Sequence, residues 1–443
     1  FIDEHTVGFE AYIELVDETP WSQIVDESGI DEATIKLVAG LYGRAERSII
    51  CWAMGLTQHE NGVANVQEVV NLLLLGGNIG RPGAGACPVR GHSNVQGDRT
   101  MGIVERPKEA FLRALDAEFD LNCPREHGYD TVNAIRAMAD GHAKVFVAMG
   151  GNFVAAAPDT QYTSAALRKC DLTVQVSTKL NRGHLSTGNA ALILPCLGRT
   201  ELDLQGKGPQ FVTCENSMGV VSRSQGAAKP ASTQLKSEVA IIADLAETVL
   251  GSNSTVPWLR MKNDYSLIRD AIGRCVPGFE SYDERVAVPG GFVLPNSARE
   301  RRWNTASGKA QFSINPLPDW RLPAGQFLMA TLRSHDQYNT TIYGLDDRYR
   351  GIYGERMVVM MNPHDIEAAK LREGDLVVLT SHHRGQSRSV KGFKVVSQAL
   401  PRGCVATYFP EANPLIPIDS VALGSNTPTS KSVPVSIQSL EDA

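Results

Sequence analysis

Hydrophobic and polar positions along the first half of the chain follow the periods of helices and buried strands. Ile35, Val38 and Leu41 recur at helical spacing, and Asp31 stands where it can cap the first turn. The apolar run 48–53 predicts a strand, 57–62 a loop and 63–75 a helix. Further strands are predicted at 145–149, 172–176 and 191–195, with a helix over 160–169. Strands alternating with helices predict parallel α/β domains with crossover helices.

The pattern of predicted secondary structure changes near residue 326. Short strands at 327–331, 357–361, 376–381, 393–397 and 405–408 are separated by turn residues, and one helix begins at Asn362-Pro363. Many short strands with a single helix predict a closed C-terminal β-barrel. Prolines and glycines make 257–302 irregular, and three prolines within 316–324 predict a linker. The predicted division is therefore an α/β part at 1–92, a second α/β domain at 93–198, an irregular α+β segment with its linker at 199–325, and the barrel at 326–443.

Composition excludes several classes of protein. The chain has 443 residues with 42% hydrophobic and 21% charged content, as globular proteins do. Its formal net charge of −6 gives no indication of a basic surface that would bind nucleic acid. No apolar run approaches the ~20 residues of a membrane helix, so no membrane segment is expected. Eight cysteines without a C-x-x-C spacing argue against a zinc or iron–sulfur site and predict free thiols in a reducing, cytoplasmic setting.

The stretch 74–98 carries the candidate chemistry. An apolar helix stops at Gly76-Gly77, and a glycine-rich turn leads to Arg90 and then to the short polar side chains His92, Ser93, Asn94 and Gln96. Glycine lets backbone N–H groups approach a ligand closely, and an arginine fork stays charged at any working pH. The stretch thus reads either as a loop that holds an anionic ligand or as a long connection that only caps a helix. The stretch lacks the G-x-G-x-x-G motif, and the sequence before Gly206-Lys207 lacks the first glycine of a P-loop. An ordinary dinucleotide or ATP is therefore disfavoured as the ligand.

Three ordered motifs, at 52–59, 71–85 and 88–97, resemble the molybdopterin oxidoreductase superfamily, and most closely the formate dehydrogenase alpha subunits and formate-dehydrogenase-like proteins. The resemblance covers only the C-terminal part of such enzymes, and the first residues lack an initiator methionine and a signal peptide. It implies a molybdenum or tungsten ion between two pterin guanine dinucleotides, and a six-stranded type of barrel. It also implies a [4Fe–4S] cluster and a metal-ligating residue in an upstream part, so that this chain supplies no metal ligand. The expected partners are that N-terminal part of the same polypeptide or an electron-transfer subunit.

The same resemblance assigns roles to individual residues. Arg90 aligns with the arginine that formate dehydrogenases place beside the metal, where it would pair with formate or a similar small anion. His92 stands where those enzymes have glutamine, and histidine titrates near neutrality. Predicted cofactor contacts are Met54, Gln58, Gly91, His92, Ser93, Ser177, Asn181, Arg333, Ser334, Gln337, Tyr338, Asn339, Asn413 and Lys431.

Several alternatives stay open at this level. Met54 could simply fill a core, and Ser177, Asn181, Lys179 and Arg182 could be solvated loop residues. A two-electron oxidoreductase is favoured, but some relatives keep this architecture without a cofactor and act structurally. A Ser/His hydrolase is disfavoured because no G-x-S-x-G elbow occurs. These residues alone are expected to be inactive.

Overall fold

The structure is a computed structural model, and it describes residues 1–318 and 321–441. Residues 319 and 320 of the predicted linker at 316–324 lie outside the described residues. Within the described part the α-helices are α1 (Ile2–His5), α2 (Phe9–Glu18), α3 (Trp21–Ser28), α4 (Glu32–Arg44), α5 (Met54–Thr57), α6 (Gly62–Leu75), α7 (Val95–Thr100), α8 (Glu109–Phe119), α9 (Thr131–Ala139), α10 (Phe153–Ala156), α11 (Thr160–Leu167), α12 (Glu238–Leu250), α13 (Trp258–Asn263), α14 (Ser266–Cys275), α15 (Tyr282–Ala287) and α16 (Pro363–Ala368).

The strands lie between these helices and after them. They are β1 (Thr6–Val7), β2 (Ile49–Trp52), β3 (Gly85–Pro88), β4 (Val145–Met149), β5 (Leu172–Ser177), β6 (Ala190–Pro195), β7 (Leu204–Gln205), β8 (Gly208–Pro209), β9 (Val212–Glu215), β10 (Val220–Ser224), β11 (Phe292–Val293), β12 (Ala310–Gln311), β13 (Phe327–Leu332), β14 (Val358–Met361), β15 (Leu376–His383), β16 (Gln386–Ser397), β17 (Cys404–Tyr408) and β18 (Val433–Ser439). Short 3₁₀ helices occupy Arg182–Leu185, Gly251–Asn253, Ala298–Glu300 and Asn413–Leu415.

Local signals explain where several helices begin. The Asp31 carboxylate accepts a hydrogen bond from the Thr34 backbone N–H, which caps α4. The Asn362 side chain caps α16 in the same way, and Pro363 occupies the first turn, where a missing N–H costs nothing.

Parallel strands dominate before the barrel. Strands β4, β5 and β6 form a parallel sheet in which Val145 pairs with Leu172, and Leu172 pairs with Ala190. Helices α10 and α11 form the crossover from β4 to β5. Strands β2 and β3 form a second parallel pair, and β1 pairs in parallel with β12, with Thr6 opposite Ala310. The predicted α/β class with parallel sheets and crossover helices is confirmed.

The six C-terminal strands close into a barrel in the order β13-β17-β14-β16-β15-β18. Met329, Met361, Leu379, Phe393 and Val435 fill its interior and are fully buried. A closed barrel has no edge strand, because each of its six strands pairs with two neighbours. This confirms the predicted six-stranded barrel.

Two compact units make up the chain. One contains Phe1–Val89, Ala155–Gln161 and the described residues after 295, including the barrel; the other contains Arg90–Val154 and Tyr162–Pro295. The four-part division at 92, 198 and 325 stays a prediction.

Some expected elements were wrong. Residues 257–302 contain α13, α14 and α15 where an irregular segment was expected. Pro257 is the N-cap of α13, so this proline precedes the helix and does not interrupt it. Strand β3 lies inside the stretch expected to be a continuous glycine-rich loop.

Candidate functional site

Two cations lie together where β13 leaves the barrel and the chain returns to β18. Arg333 directly follows β13, and the Thr331 N–H donates to the Ser430 carbonyl at 3.0 Å. The Lys431 Nζ donates to the Thr331 carbonyl. The antiparallel pairing of β13 with β18 thus brings Arg333 and Lys431, which are far apart in the sequence, to one place.

Both cations are partly removed from water. Burial lowers the pKa of Arg333, and burial together with the charge of Arg333 lowers the pKa of Lys431 to about 8. Neither side chain forms an ion pair with a carboxylate in the described part of the chain. Desolvated cations without a carboxylate are the donors that a phosphate needs. This pair is therefore suited to bind an anion such as a phosphate.

The predicted contacts at the end of β2 lie beside this cation pair. The Lys431 N–H donates to the Gln58 carbonyl at 3.1 Å, and the Leu423 N–H donates to the Glu60 carbonyl at 2.8 Å. Met54, the first residue of α5, is 37% exposed, so it fills no core within the described residues.

Ser334 and Gln337 are engaged inside the barrel's first loop. The Gln337 Oε1 accepts hydrogen bonds from the Ser334 N–H at 3.0 Å and from an Arg356 Nη at 2.9 Å. The Gln337 amide nitrogen donates to the carbonyls of Asn339 and Phe409, at 2.7 Å each. A second Arg356 Nη donates to the Ser334 hydroxyl at 2.9 Å. Their polar groups thus shape the loop that begins with Arg333.

Arg356 is the central residue of this network, and sequence reasoning missed it. Its side chain is 4% exposed and pairs with Glu411 at 2.6 Å. Its guanidinium also lies over the rings of Tyr343 and Tyr408, at 4.4 and 4.7 Å. No local motif marks the Arg356–Glu411 pair, because the two residues are 55 positions apart.

The remaining barrel residues of the prediction differ in exposure. Tyr338 is 47% exposed, and its N–H donates to the Ile342 carbonyl at 2.8 Å. Asn339 has φ +48°, a left-handed conformation that asparagine tolerates. Asn413 is buried, and its amide donates to the carbonyls of Ala155 and Ala157 at 2.5 and 3.2 Å. Asn413 thereby ties residues 155–161 to the barrel's unit.

In the other unit, Arg90 is exposed and lightly held. Its backbone N–H donates to the Ser217 hydroxyl at 3.2 Å, and one Nη donates to the Gln96 Oε1 at 3.2 Å. It forms no ion pair within the described residues. Gly91 and Ser93 are also exposed, and His92 is half-buried. The charge of Arg90 is therefore available to a ligand.

Ser177 and Asn181 lie beyond the carboxyl end of β5. The Asn181 amide donates to the Gly151 carbonyl at 2.9 Å, and its Oδ1 accepts from the Gly183 N–H at 2.9 Å. The Ser177 hydroxyl donates to the Lys179 carbonyl at 2.7 Å. Asn181 thus joins the loops that follow β4 and β5, as expected for neighbouring parallel strands. Lys179 and Arg182 are exposed.

Across residues 1–318 and 321–441, no helix has the length and apolarity needed to cross a bilayer. In the same range no group of three or more His, Cys, Asp or Glu side chains is arranged to hold a metal ion.

The fold and this geometry define an α/β protein with a terminal barrel whose half-buried cations suit a phosphorylated ligand. The Molybdopterin oxidoreductase family model matches residues 24–248, and the Molydopterin dinucleotide binding domain model matches residues 327–435. The chain belongs to the molybdopterin oxidoreductase family. Membership implies a molybdenum or tungsten pterin cofactor.

Individual relatives agree with this assignment. An uncharacterized oxidoreductase of Mycobacterium tuberculosis is 52% identical over 99% of this chain and 57% of its own length. The F420-dependent formate dehydrogenase subunit alpha of Methanocaldococcus jannaschii is 25% identical over 94% of this chain and 61% of its own length. The chain therefore spans less than two thirds of these relatives.

Among solved structures, acetylene hydratase from Pelobacter acetylenicus superposes with a TM-score of 0.65. The two sequences are 16% identical, and the match covers 99% of this chain and 67% of that one. At this identity the likeness concerns the fold alone.

Proposed function

We propose that the complete protein oxidises a small anion by two electrons, in the manner of formate dehydrogenase, with a molybdenum or tungsten bis-pterin guanine dinucleotide. The family membership and the 25% identity to a formate dehydrogenase alpha subunit support this proposal. In it, a [4Fe–4S] cluster and the metal ligand come from residues outside this chain, and an electron-transfer subunit takes the electrons. The proposed location is cytoplasmic.

Cofactor binding is assigned first to the barrel. Arg333 and Lys431 would hold phosphates, because both are partly desolvated and neither pairs with a carboxylate among the described residues. Tyr338, Asn339, Gln58 and Met54 would contact the same group. Ser334, Gln337 and Asn413 would contribute mainly by holding loops in place, since their side chains bond within the protein. When bound, this cofactor would supply the two-electron redox chemistry, and the residues named here would hold and orient it.

Arg90 carries the proposal for the substrate. Its guanidinium is exposed, and its one side-chain partner among the described residues is the neutral Gln96, at 3.2 Å. A carboxylate ligand would form a charge-assisted pair with it, a contact of about 1.5–3 kcal/mol. The fork of donors would also fix the orientation of the anion, and orientation changes reactivity more than affinity. His92, two residues after Arg90 in the sequence, would contact the same anion. Gly91, Ser93, Ser177 and Asn181 would contact the cofactor.

Replacement of Arg90 in the full-length, cofactor-loaded protein tests this assignment. Arg90→Ala is expected to lower turnover of the anion about 100-fold or more with cofactor content unchanged, because the anion loses its orientation. Arg90→Lys keeps the charge without the fork and should recover part of the rate. Arg106→Ala, at another exposed arginine, is the matched control. Wild-type turnover in Arg90→Ala would refute the role.

A structural, cofactor-free subunit is the second candidate. The cation pair disfavours it, because burying Arg333 and Lys431 without a carboxylate costs free energy that a bound anion would offset. Elemental analysis of the full-length protein separates the two candidates: bound molybdenum or tungsten supports the enzyme, and a metal-free protein with intact fold supports the structural role. Turnover assays of residues 1–443 alone test whether this part is inactive, as we infer.

A further inference from the structure

The unit formed by 90–154 and 162–295 contains a cavity of about 190 Å³. Its walls come from α7, from β9 and β10, which pair antiparallel, from α12 and α14, and from the segment that leads into α15. Most of the lining is apolar, and includes Met101, Phe211, Val221, Ile268, Ile272 and Phe279. Apolar cavities of about 150 Å³ are large enough to admit benzene. This space therefore suits a molecule the size of a single aromatic ring.

One acidic side chain on the wall lacks a full set of partners. Glu215, at the end of β9, is 6% exposed, and its Oε2 has no hydrogen-bond partner in the described residues. Its backbone N–H is satisfied by the Asn94 Oδ1 at 3.0 Å. Burial raises the pKa of Glu215, an effect that the Thr100 hydroxyl partly offsets. A buried polar atom left alone costs about 1–3 kcal/mol, so a ligand that bonds it gains affinity.

Several other polar groups that line the cavity have hydrogen-bond or ion-pair partners within the protein. The hydroxyls of Thr213 and Tyr282 bond each other at 2.7 Å, and the Tyr265 hydroxyl bonds Asp203 at 2.6 Å. The Arg269 guanidinium pairs with Asp283 and lies 3.9 Å from the centre of the Phe211 ring.

The charged groups on the cavity wall restrict the charge that a ligand in the cavity can carry. An anion would face the Glu215 carboxyl in an apolar space, and a cation would share a small cavity with the Arg269 charge. An uncharged occupant avoids both costs.

We propose that this cavity binds a small uncharged molecule of the size of a phenol, whose single hydroxyl forms a hydrogen bond with the Glu215 carboxyl while its ring contacts the apolar wall. The ring accounts for the apolar lining, and the hydroxyl for the unpartnered Oε2. The site involves neither Arg90 nor the barrel cations, so it stands or falls independently of the proposed function.

Phenol and toluene are matched probes, because they have nearly the same shape and differ in the hydroxyl. Titration calorimetry of the full-length, cofactor-loaded protein should show one saturable phenol site, with toluene bound about tenfold more weakly. A crystal soaked in phenol should show the hydroxyl within hydrogen-bond distance of the Glu215 Oε2. Equal affinities, no binding of either probe, or phenol seated elsewhere would each overturn the proposal.

Substitution of Glu215 sharpens the test. Glu215→Met keeps the volume and removes the hydrogen bond, so the tenfold preference for phenol should vanish while toluene still binds. Glu247→Met, at an exposed position of α12, is the control and should keep the preference. Because the probe comparison uses the wild-type chain, the proposal can be overturned even if Glu215→Met does not fold. A preference that persists in a folded Glu215→Met protein contradicts the assignment.

Discussion

The barrel loop that begins at Arg333 and the segment that begins at Arg90 both present an arginine, but they are supported in opposite ways. The barrel loop rests on Arg356, a buried cation that bonds Ser334, Gln337 and Glu411. Arg90 itself donates one hydrogen bond from its backbone to Ser217 and one from its guanidinium to Gln96, and among the described residues it forms no ion pair. Interior bonds thus fix the first loop, while the Arg90 side chain is lightly restrained.

This difference matches two tasks. A large ligand that is bound for the life of a protein benefits from a preformed cradle, because little conformational entropy is lost on binding. A small substrate that enters and leaves at each turnover needs a cation whose surroundings can adjust. In the proposed function, Arg333 belongs to the first kind of site and Arg90 to the second.

Removing the support of the barrel loop should have the largest effect. Arg356→Met leaves the partly buried Glu411 carboxylate without its partner and should lower the barrel's stability by about 3 kcal/mol. Hydrogen exchange of the amides in β14 and β17 measures this loss. Arg356→Met combined with Glu411→Leu should recover part of it, because no unpaired charge is left. Arg348→Met, at an exposed arginine of the same region, should change stability little. Unchanged exchange in Arg356→Met would show that the network is not what holds the loop.

The cation pair should make stability depend on pH. Burial lowers the pKa of folded Lys431 from 10.5 to about 8, so between these values the unfolded chain binds more protons. Burying the charged Lys431 ammonium therefore lowers the free energy of unfolding by its full amount below pH 8. This loss disappears as the pH rises toward 10.5. Lys431→Met should therefore raise stability by up to about 3 kcal/mol at pH 7 and have little effect near pH 10.5.

Calorimetry of the barrel transition across this range measures the difference, and Lys391→Met, at an exposed lysine, is its control. An equal effect of Lys431→Met at pH 7 and pH 10.5 would contradict the burial of this charge.

The smallest effect is expected at the hydrogen bond that the Arg90 backbone donates to Ser217. Ser217→Ala removes the acceptor of the Arg90 N–H, and the net loss should be about 0.5–1 kcal/mol because both groups are near solvent. Amide exchange at residues 90–93 should accelerate while the exchange of β9 and β10 stays the same. Ser252→Ala, at an exposed serine of the same unit, should leave both unchanged. Slow exchange at 90–93 in Ser217→Ala would show that this segment has support beyond the Ser217 bond.

Helix starts could be predicted where the capping residues lie close together in the sequence. Asp31 and Thr34 are three positions apart, and Asn362 and Pro363 are adjacent, so sequence alone places the starts of α4 and α16. Strand β3 has glycine and proline at its ends and forms because β2 offers a partner, which no local pattern reveals. Helices α13 to α15 were missed because prolines near their ends were interpreted as signs of irregular structure.

The candidate site divides in the same way. The motifs that contain Arg90, Arg333 and Lys431 were recognisable, but the burial that lowers the pKa of Lys431 depends on the pairing of β13 with β18. The partners of Ser334 and Gln337 were equally hidden, since Arg356 lies 22 and 19 positions away from them. Tertiary packing determines which polar residues face a ligand and which face the protein.

The pairing of β1 with β12 has a consequence for biosynthesis. Thr6 leaves the ribosome about 300 residues before Ala310, its partner in the sheet. At about 5–20 residues per second, that delay is roughly 15–60 s. For that time Thr6 and Val7 have no sheet partner, so this pairing can form only after most of the chain has been made.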